Sequence, residues 1–115
     1  MNTSVSAMVE PLVSRKLFAT EEEAVRSLLR EYILQQVRQL QQELSSLESK
    51  YGMSFEQFAA YVHERSVLLE EGDLSPEQRE TLGQAIMQEE EDCLDWKVNR
   101  EMLESWLGLR QEVVA

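Results

Sequence analysis

Residues 20–51, TEEEAVRSLLREYILQQVRQLQQELSSLESKY, decide the fold. Thr20 and Glu23, three residues apart, form a capping-box pair, and Glu21 and Glu22 place negative charge at the positive end of a helix dipole. Gly52 supplies the stop, because glycine enters the left-handed conformation cheaply, and no proline or glycine interrupts the interval. A helix over this stretch is about 45 Å long at 1.5 Å per residue. Along it Ile33, Val37, Leu40, Leu44, Leu47 and Tyr51 recur at alternating steps of four and three, the seam of a left-handed coiled coil, with Leu29 one step ahead. These seven are the candidate dimerisation residues. A compact domain of this chain length is only about 30 Å across, so much of the seam must lie against another long helix. That helix comes from the same chain or from a second copy.

Working outward, Ala24, Val25, Leu28, Leu29, Tyr32 and Ile33 give the first half of the helix a wider apolar stripe, suited to packing inside a globular unit. The narrow stem is expected to begin near Val37. Upstream, Val5, Met8, Val9, Leu12 and Val13 share a helical face, and Pro11 makes this segment either one short helix or two fragments. Phe18 or Ala19 is placed to staple against Ala24. Downstream, Ser54 and Gln57 form a second capping box that opens a helix to about Leu69, burying Phe55, Phe58, Ala59, Val62 and Leu69 and folding back on the stem. Glu70 to Asp73 ends it. Ser75, Pro76 and Gln78 are a third start, for a helix running to about Leu109. Hydrophobic residues recur only at helical spacing, so the fold class is all-α, a long-helix coiled coil or helical bundle with no substantial sheet. The expected division is a helical unit over 1–71 and a separate acidic helix over 75–115.

This last helix is apolar on two sides. Leu82, Ile86, Cys93, Trp96, Leu103 and Leu107 lie near one stripe, while Leu94, Val98, Met102 and Leu109 lie close to the opposite side, with Trp106 between. Two apolar sides require two neighbours. The stem can be one. The other has no candidate within so short a chain, which points to a second subunit or a different protein. The candidate partner-binding residues are therefore Leu94, Trp96, Val98, Met102, Leu103, Trp106 and Leu109, with the acidic run Glu89, Glu90, Glu91 and Asp92. The alternatives are that both tryptophans fill the core and that the acidic run is a solvated face.

Charge sharpens this reading. The chain of 115 residues carries a formal net charge of -11, and residues 70–115 alone hold thirteen acidic against four basic side chains. So negative a surface repels nucleic acid and anionic membranes and attracts a basic partner. The one cysteine, Cys93, excludes an intrachain disulfide and a cysteine zinc site, and is expected to be a small buried hydrophobe. Residues 1–13 lack the basic start of a signal peptide, and no apolar stretch approaches the roughly 18 residues that span a bilayer. The expected compartment is the cytoplasm, with no membrane contact.

Catalytic constellations are weak. His63 with Glu64 and the acidic run invites a di-iron carboxylate reading, but the Glu-x-x-His motif is missing, since Ala60, Tyr61 and Val62 precede His63. His63 is expected to face solvent. There is no glycine-rich phosphate loop and no Gly-x-Ser-x-Gly, so neither enzyme activity nor a metal or other cofactor is expected.

The stretch PLVSRKLFATEEEAVRSLLREYI resembles the helix pair of ribbon-helix-helix-type bacterial antitoxins, whose turn reads Gly-x-Phe/Tyr-x-Ser/Thr-x-x-Asp/Glu-Ala-Val/Ile-Arg. Leu12, Val13, Phe18, Thr20, Glu23, Ala24, Val25 and Arg26 carry the match. The segments QLQQELSSLESKYGMSFEQF and DWKVNREMLESWL, with Trp96, Glu101 and Leu103, are similar to small prokaryotic proteins encoded beside toxins. The resemblance implies an antitoxin-like protein whose acidic C-terminal helix wraps a toxin, often a ribonuclease whose basic site it blocks. Such a family also reads DNA with a strand before the first helix. Here only residues 1–4 remain for that strand, none is basic, and Lys16 stands at the turn's glycine, which weighs against DNA binding.

Overall fold

The computed structural model describes residues 4–114. It is all-α: α1 (Val5–Ser14), α2 (Glu21–Tyr51), α3 (Phe55–Glu71) and α4 (Pro76–Val114), with no strand among the described residues. The residues left for a DNA-reading strand, 1–4, lie outside the described ones apart from Ser4.

The helix boundaries follow from local chemistry. The Thr20 hydroxyl accepts the Glu23 amide at 3.1 Å, starting α2, and Gly52 takes φ 63° while its amide donates to the Glu48 carbonyl at 2.7 Å, ending it. The Ser54–Gln57 and Ser75–Gln78 boxes close reciprocally: each hydroxyl accepts the third-residue amide, and each glutamine side chain accepts the serine amide in return. Between α3 and α4, the Arg79 guanidinium donates to the Leu69 and Gly72 carbonyls, covering acceptors that α3 leaves open at its end. A Cβ on Gly72 would collide with the Leu68 carbonyl oxygen, so a larger residue displaces the chain here.

Residues 5–14 form a single helix despite Pro11, because both ends are tied. The Ser4 hydroxyl accepts the Ala7 amide; at the other end the Leu17 amide reaches the Leu12 carbonyl and the Lys16 amide the Val13 carbonyl, both at 2.9 Å. That is a Schellman closure, and it puts Lys16 in the left-handed position, with φ 62°.

The chain forms two compact units, and each long helix contributes to both. One unit comprises Met1–Gln39 with Glu104–Ala115, the other Leu40–Leu103. The expected division between residues 71 and 75 does not coincide with this partition, because α4 is not a separate element: its residues 76–103 build the second unit together with α3 and the end of α2. In the first unit Val9, Ala24, Ile33 and Val37 are buried, and Tyr32 meets Trp106 edge to face with centroids 5.9 Å apart. The Ser6 hydroxyl donates to the Glu21 carboxylate at 2.7 Å and joins α1 to the start of α2. In the second unit Phe58, Val62 and Trp96 form the core, with Leu44, Leu47, Tyr51, Met53, Phe55, Tyr61 and Cys93 packed against it. The Phe58 ring lies 4.0 Å from that of Tyr51 and 5.5 Å from that of Trp96, centroid to centroid.

Candidate functional site

The two faces of α4 have different fates. Ile86 and Trp96 are buried, Trp96 to 1 % exposure, and Leu82, Cys93, Leu103 and Leu107 are half-buried. Leu94, by contrast, is 61 % exposed, and Val98, Met102 and Leu109 are exposed with it. Met87 is a further exposed member that the sequence reading missed. At 100° per residue, Met87, Leu94, Val98 and Met102 fall within an arc of about 80°, together with Glu91, while Glu101 and Asp95 lie just beyond its two edges. These three carboxylates make no ion pair among the described residues. Alongside, Glu43, Ser46 and Leu47 of α2 and Leu94, Asp95, Val98 and Asn99 of α4 line an open groove with an apolar floor, acids at its rim and no basic side chain.

The acidic run is mostly engaged within the chain. Arg65 donates to Glu89 at 2.9 Å, and the Ser66 hydroxyl donates to Glu90 at 3.3 Å. Asp92, only 8 % exposed, accepts Lys50 Nζ at 2.7 Å, the Tyr51 hydroxyl and Gln88 Nε2 at 3.1 Å. Burial would raise the Asp92 carboxyl, but the hydrogen bonds from Lys50, Tyr51 and Gln88 outweigh it and hold it below the usual carboxylate range. Burial pushes the Tyr51 hydroxyl up to about 12, helped by its hydrogen bond to Asp92. The same carboxylate raises the Lys50 ammonium through their hydrogen bond. Of the four expected docking acids, only Glu91 is exposed without such a partner; Glu89, Glu90 and Asp92 brace α4 against α3 and α2 instead.

Burial bears on three further expectations. Trp96 closes the core under Phe55 and Phe58, as in the alternative that tryptophan fills the core. Trp106 and Leu103 are half-buried, with the Trp106 ring held against Tyr32. Ile33, Val37 and Leu40 are buried within the single chain, and Leu44, Leu47 and Tyr51 are half-buried against the Phe58 and Trp96 core. Of the seven candidate dimerisation residues, Leu29 alone stays exposed. His63 is exposed, and Cys93 is half-buried with burial pushing its thiol up. Among the described residues no group of three or more His, Cys, Asp or Glu is placed to hold a metal ion, and no helix is long and apolar enough to cross a membrane.

The Asp92 site carried a signal in the sequence. Asp92 lies one helical turn before Trp96, about 40° away around the helix, and a carboxylate so close to a core tryptophan must find donors. Lys50 and Tyr51, ending the only other long helix, are those donors. What periodicity alone does not contain is which of two apolar stripes the chain itself fills.

Comparison with known proteins gives no match to a family model, a curated protein or a solved structure. The functional reading therefore stands on the geometry of the α4 face and its groove.

Proposed function

We propose that this is a non-enzymatic, antitoxin-like cytoplasmic protein that binds and neutralises a basic partner, a protein toxin, through the outward face of α4. One observation carries the reading: Leu94, Val98 and Met102 form an exposed apolar stripe flanked by three carboxylates, Glu91, Asp95 and Glu101, that are unpaired among the described residues, against one basic neighbour, Lys97. Apolar anchors at helical spacing suit a partner helix, and the surrounding acids select a basic one and speed its approach. The resemblance of the chain to antitoxins supports the same partner class. The groove beside Leu47, with Glu43 and Asp95 at its rim, extends the surface onto α2.

Co-expression with the product of the adjacent reading frame tests this. The wild-type chain is expected to co-purify with that product and to restore growth when the product is toxic. Replacing Leu94→Lys together with Val98→Lys, on side chains already exposed, is expected to abolish both while leaving helicity unchanged. Retention of the neighbour's product by the double variant, or no binding by the wild type, overturns the proposal.

A second reading, a structural or adaptor coiled-coil homodimer without a toxin partner, draws on the burial of Trp96 within its own chain. Both tryptophans buried in the free protein, with an emission that no partner changes, fit that reading.

A further inference from the structure

The groove beside α4 narrows the partner to one kind of element. Its walls are two helices, with Glu43, Ser46 and Leu47 on the α2 side and Leu94, Asp95, Val98 and Asn99 on the α4 side. These residues lie well inside α2 and α4, where backbone amides and carbonyls bond within the helix and offer nothing to a visitor. An extended segment laid over such a floor would bury its own amides without backbone acceptors, whereas a helix arrives with them already satisfied. Spacing agrees with this. Leu94, Val98 and Met102 repeat every four residues over about 12 Å, a length matched by one face of a helix of roughly three turns.

Charge then selects among helices. Glu43 and Asp95 make no ion pair among the described residues, and an ionised carboxylate can only accept. A purely apolar helix would strip water from both acids and give nothing back, and an acidic one would repel them. The chain's own cations nearby are placed elsewhere. Lys50, one turn beyond Ser46 on α2, pairs with Asp92 at 2.7 Å, and Lys97 lies about 160° around α4 from Asp95. Nor does a second copy supply them: α1 holds one acid and no base, α2 six acids against four bases, α3 four against one and α4 ten against four, so every helix of this chain is itself net negative. We infer that the element captured in the α2–α4 groove is a single amphipathic helix of a different protein, apolar toward Leu47, Leu94 and Val98 and carrying lysine or arginine where it meets Glu43 and Asp95. This rests on α4 being the partner-binding face, and it adds a helical occupant and a second wall on α2.

Calorimetric titration of the full chain with three synthetic peptides of about 18 residues, long enough to hold a helix, tests the inference. In the first, leucines at helical spacing form a stripe flanked by lysines; in the second, glutamates replace the lysines; in the third, the residues of the first are shuffled so that no stripe forms. The first is expected to bind one to one at low salt, the second not to bind, and the third to bind at least tenfold more weakly than the first. Glu43→Gln with Asp95→Asn is expected to weaken the first peptide at least tenfold, while Glu70→Gln with Glu71→Gln, which removes the same charge at the exposed end of α3, leaves it within twofold. Equal binding of the shuffled peptide, binding indifferent to the groove pair, or no binding of the striped basic peptide overturns the inference.

Ser46→Arg separates the groove from the α4 proposal on which it rests. Ser46 is exposed on the α2 wall, and an arginine there sets the chain's own cation between Glu43 and Asp95. It is expected to abolish capture of the product of the adjacent reading frame with helicity unchanged. A Ser46→Arg chain that still retains that product overturns the helix-in-groove inference and leaves the α4 proposal standing. A wild-type chain that binds the striped basic peptide as expected but not that product removes the toxin partner and supports the groove.

Discussion

Lys16 shows how a single backbone angle connects sequence to stability. Its φ of 62° lies where L side chains crowd the backbone, at a cost of about 1–2 kcal/mol, and it is the position after α1 where helices favour glycine. Lys16→Gly relieves that cost but loosens the unfolded chain, so a net gain of about 0.5–1 kcal/mol is expected, read as a higher urea midpoint at unchanged slope. Asp92 works through protonation. Its carboxyl is held below its unfolded value, so its contribution is complete above the ordinary carboxylate range near pH 4 and is lost as pH falls through the folded value. Tyr51 has the opposite sign: raised to about 12, it contributes fully below pH 10, and that contribution drains away between pH 10 and 12 as the unfolded phenol ionises first. Asp92→Asn should cost about 1–3 kcal/mol at neutral pH and flatten the acid limb of the stability profile, while Tyr51→Phe should flatten the alkaline limb. Urea melts across pH check both, and limbs unchanged in the two variants contradict the assignment.

Among the elements, α4 separates what the sequence states from what it leaves open. Its start at Pro76, its cap and its two apolar stripes were legible, because capping and periodicity are local properties. Which stripe turns inward was not, since Trp96 and Met102 are equally apolar letters and only the position of Phe58 decides between them. The same limit applies to α2. Its boundaries were legible to within one residue, but an alternating four and three repeat is satisfied equally by a helix of the same chain and by a copy. The left-handed Lys16 escaped notice because lysine gives no sign of that angle, whereas the glycine of the resembling turn would have done so. Paired substitutions on α4 test the inward and outward assignment. Trp96→Ala removes a fully buried ring and should cost about 3–5 kcal/mol, whereas Leu94→Gln, two residues away on an exposed face, should stay within about 0.5 kcal/mol of wild type. Equal losses at both positions would mean that each face of α4 is covered in the folded chain.

For the molecule as a whole, the governing quantity is a net charge of -11 gathered almost entirely in residues 40–103. Among the described residues three ion pairs, through Glu56, Glu89 and Asp92, leave most of those acids without a basic partner. Such self-repulsion weakens as the screening length falls from about 10 Å at 0.1 M salt to about 3 Å at 1 M. The thermal midpoint of the protein should therefore rise with sodium chloride, in contrast to proteins whose surface charges are balanced. Two opposite salt dependences then separate folding from partner capture. Folding should strengthen with salt, and capture of a basic partner on α4 should weaken because its attraction is screened. Charge-neutralising variants on the exposed acids, such as Glu91→Gln with Asp95→Asn, should raise the low-salt midpoint toward the high-salt value while reducing partner affinity. If the midpoint is flat in salt, or if neutralising these two acids leaves partner affinity unchanged, the electrostatic basis for assigning α4 to a basic partner is lost.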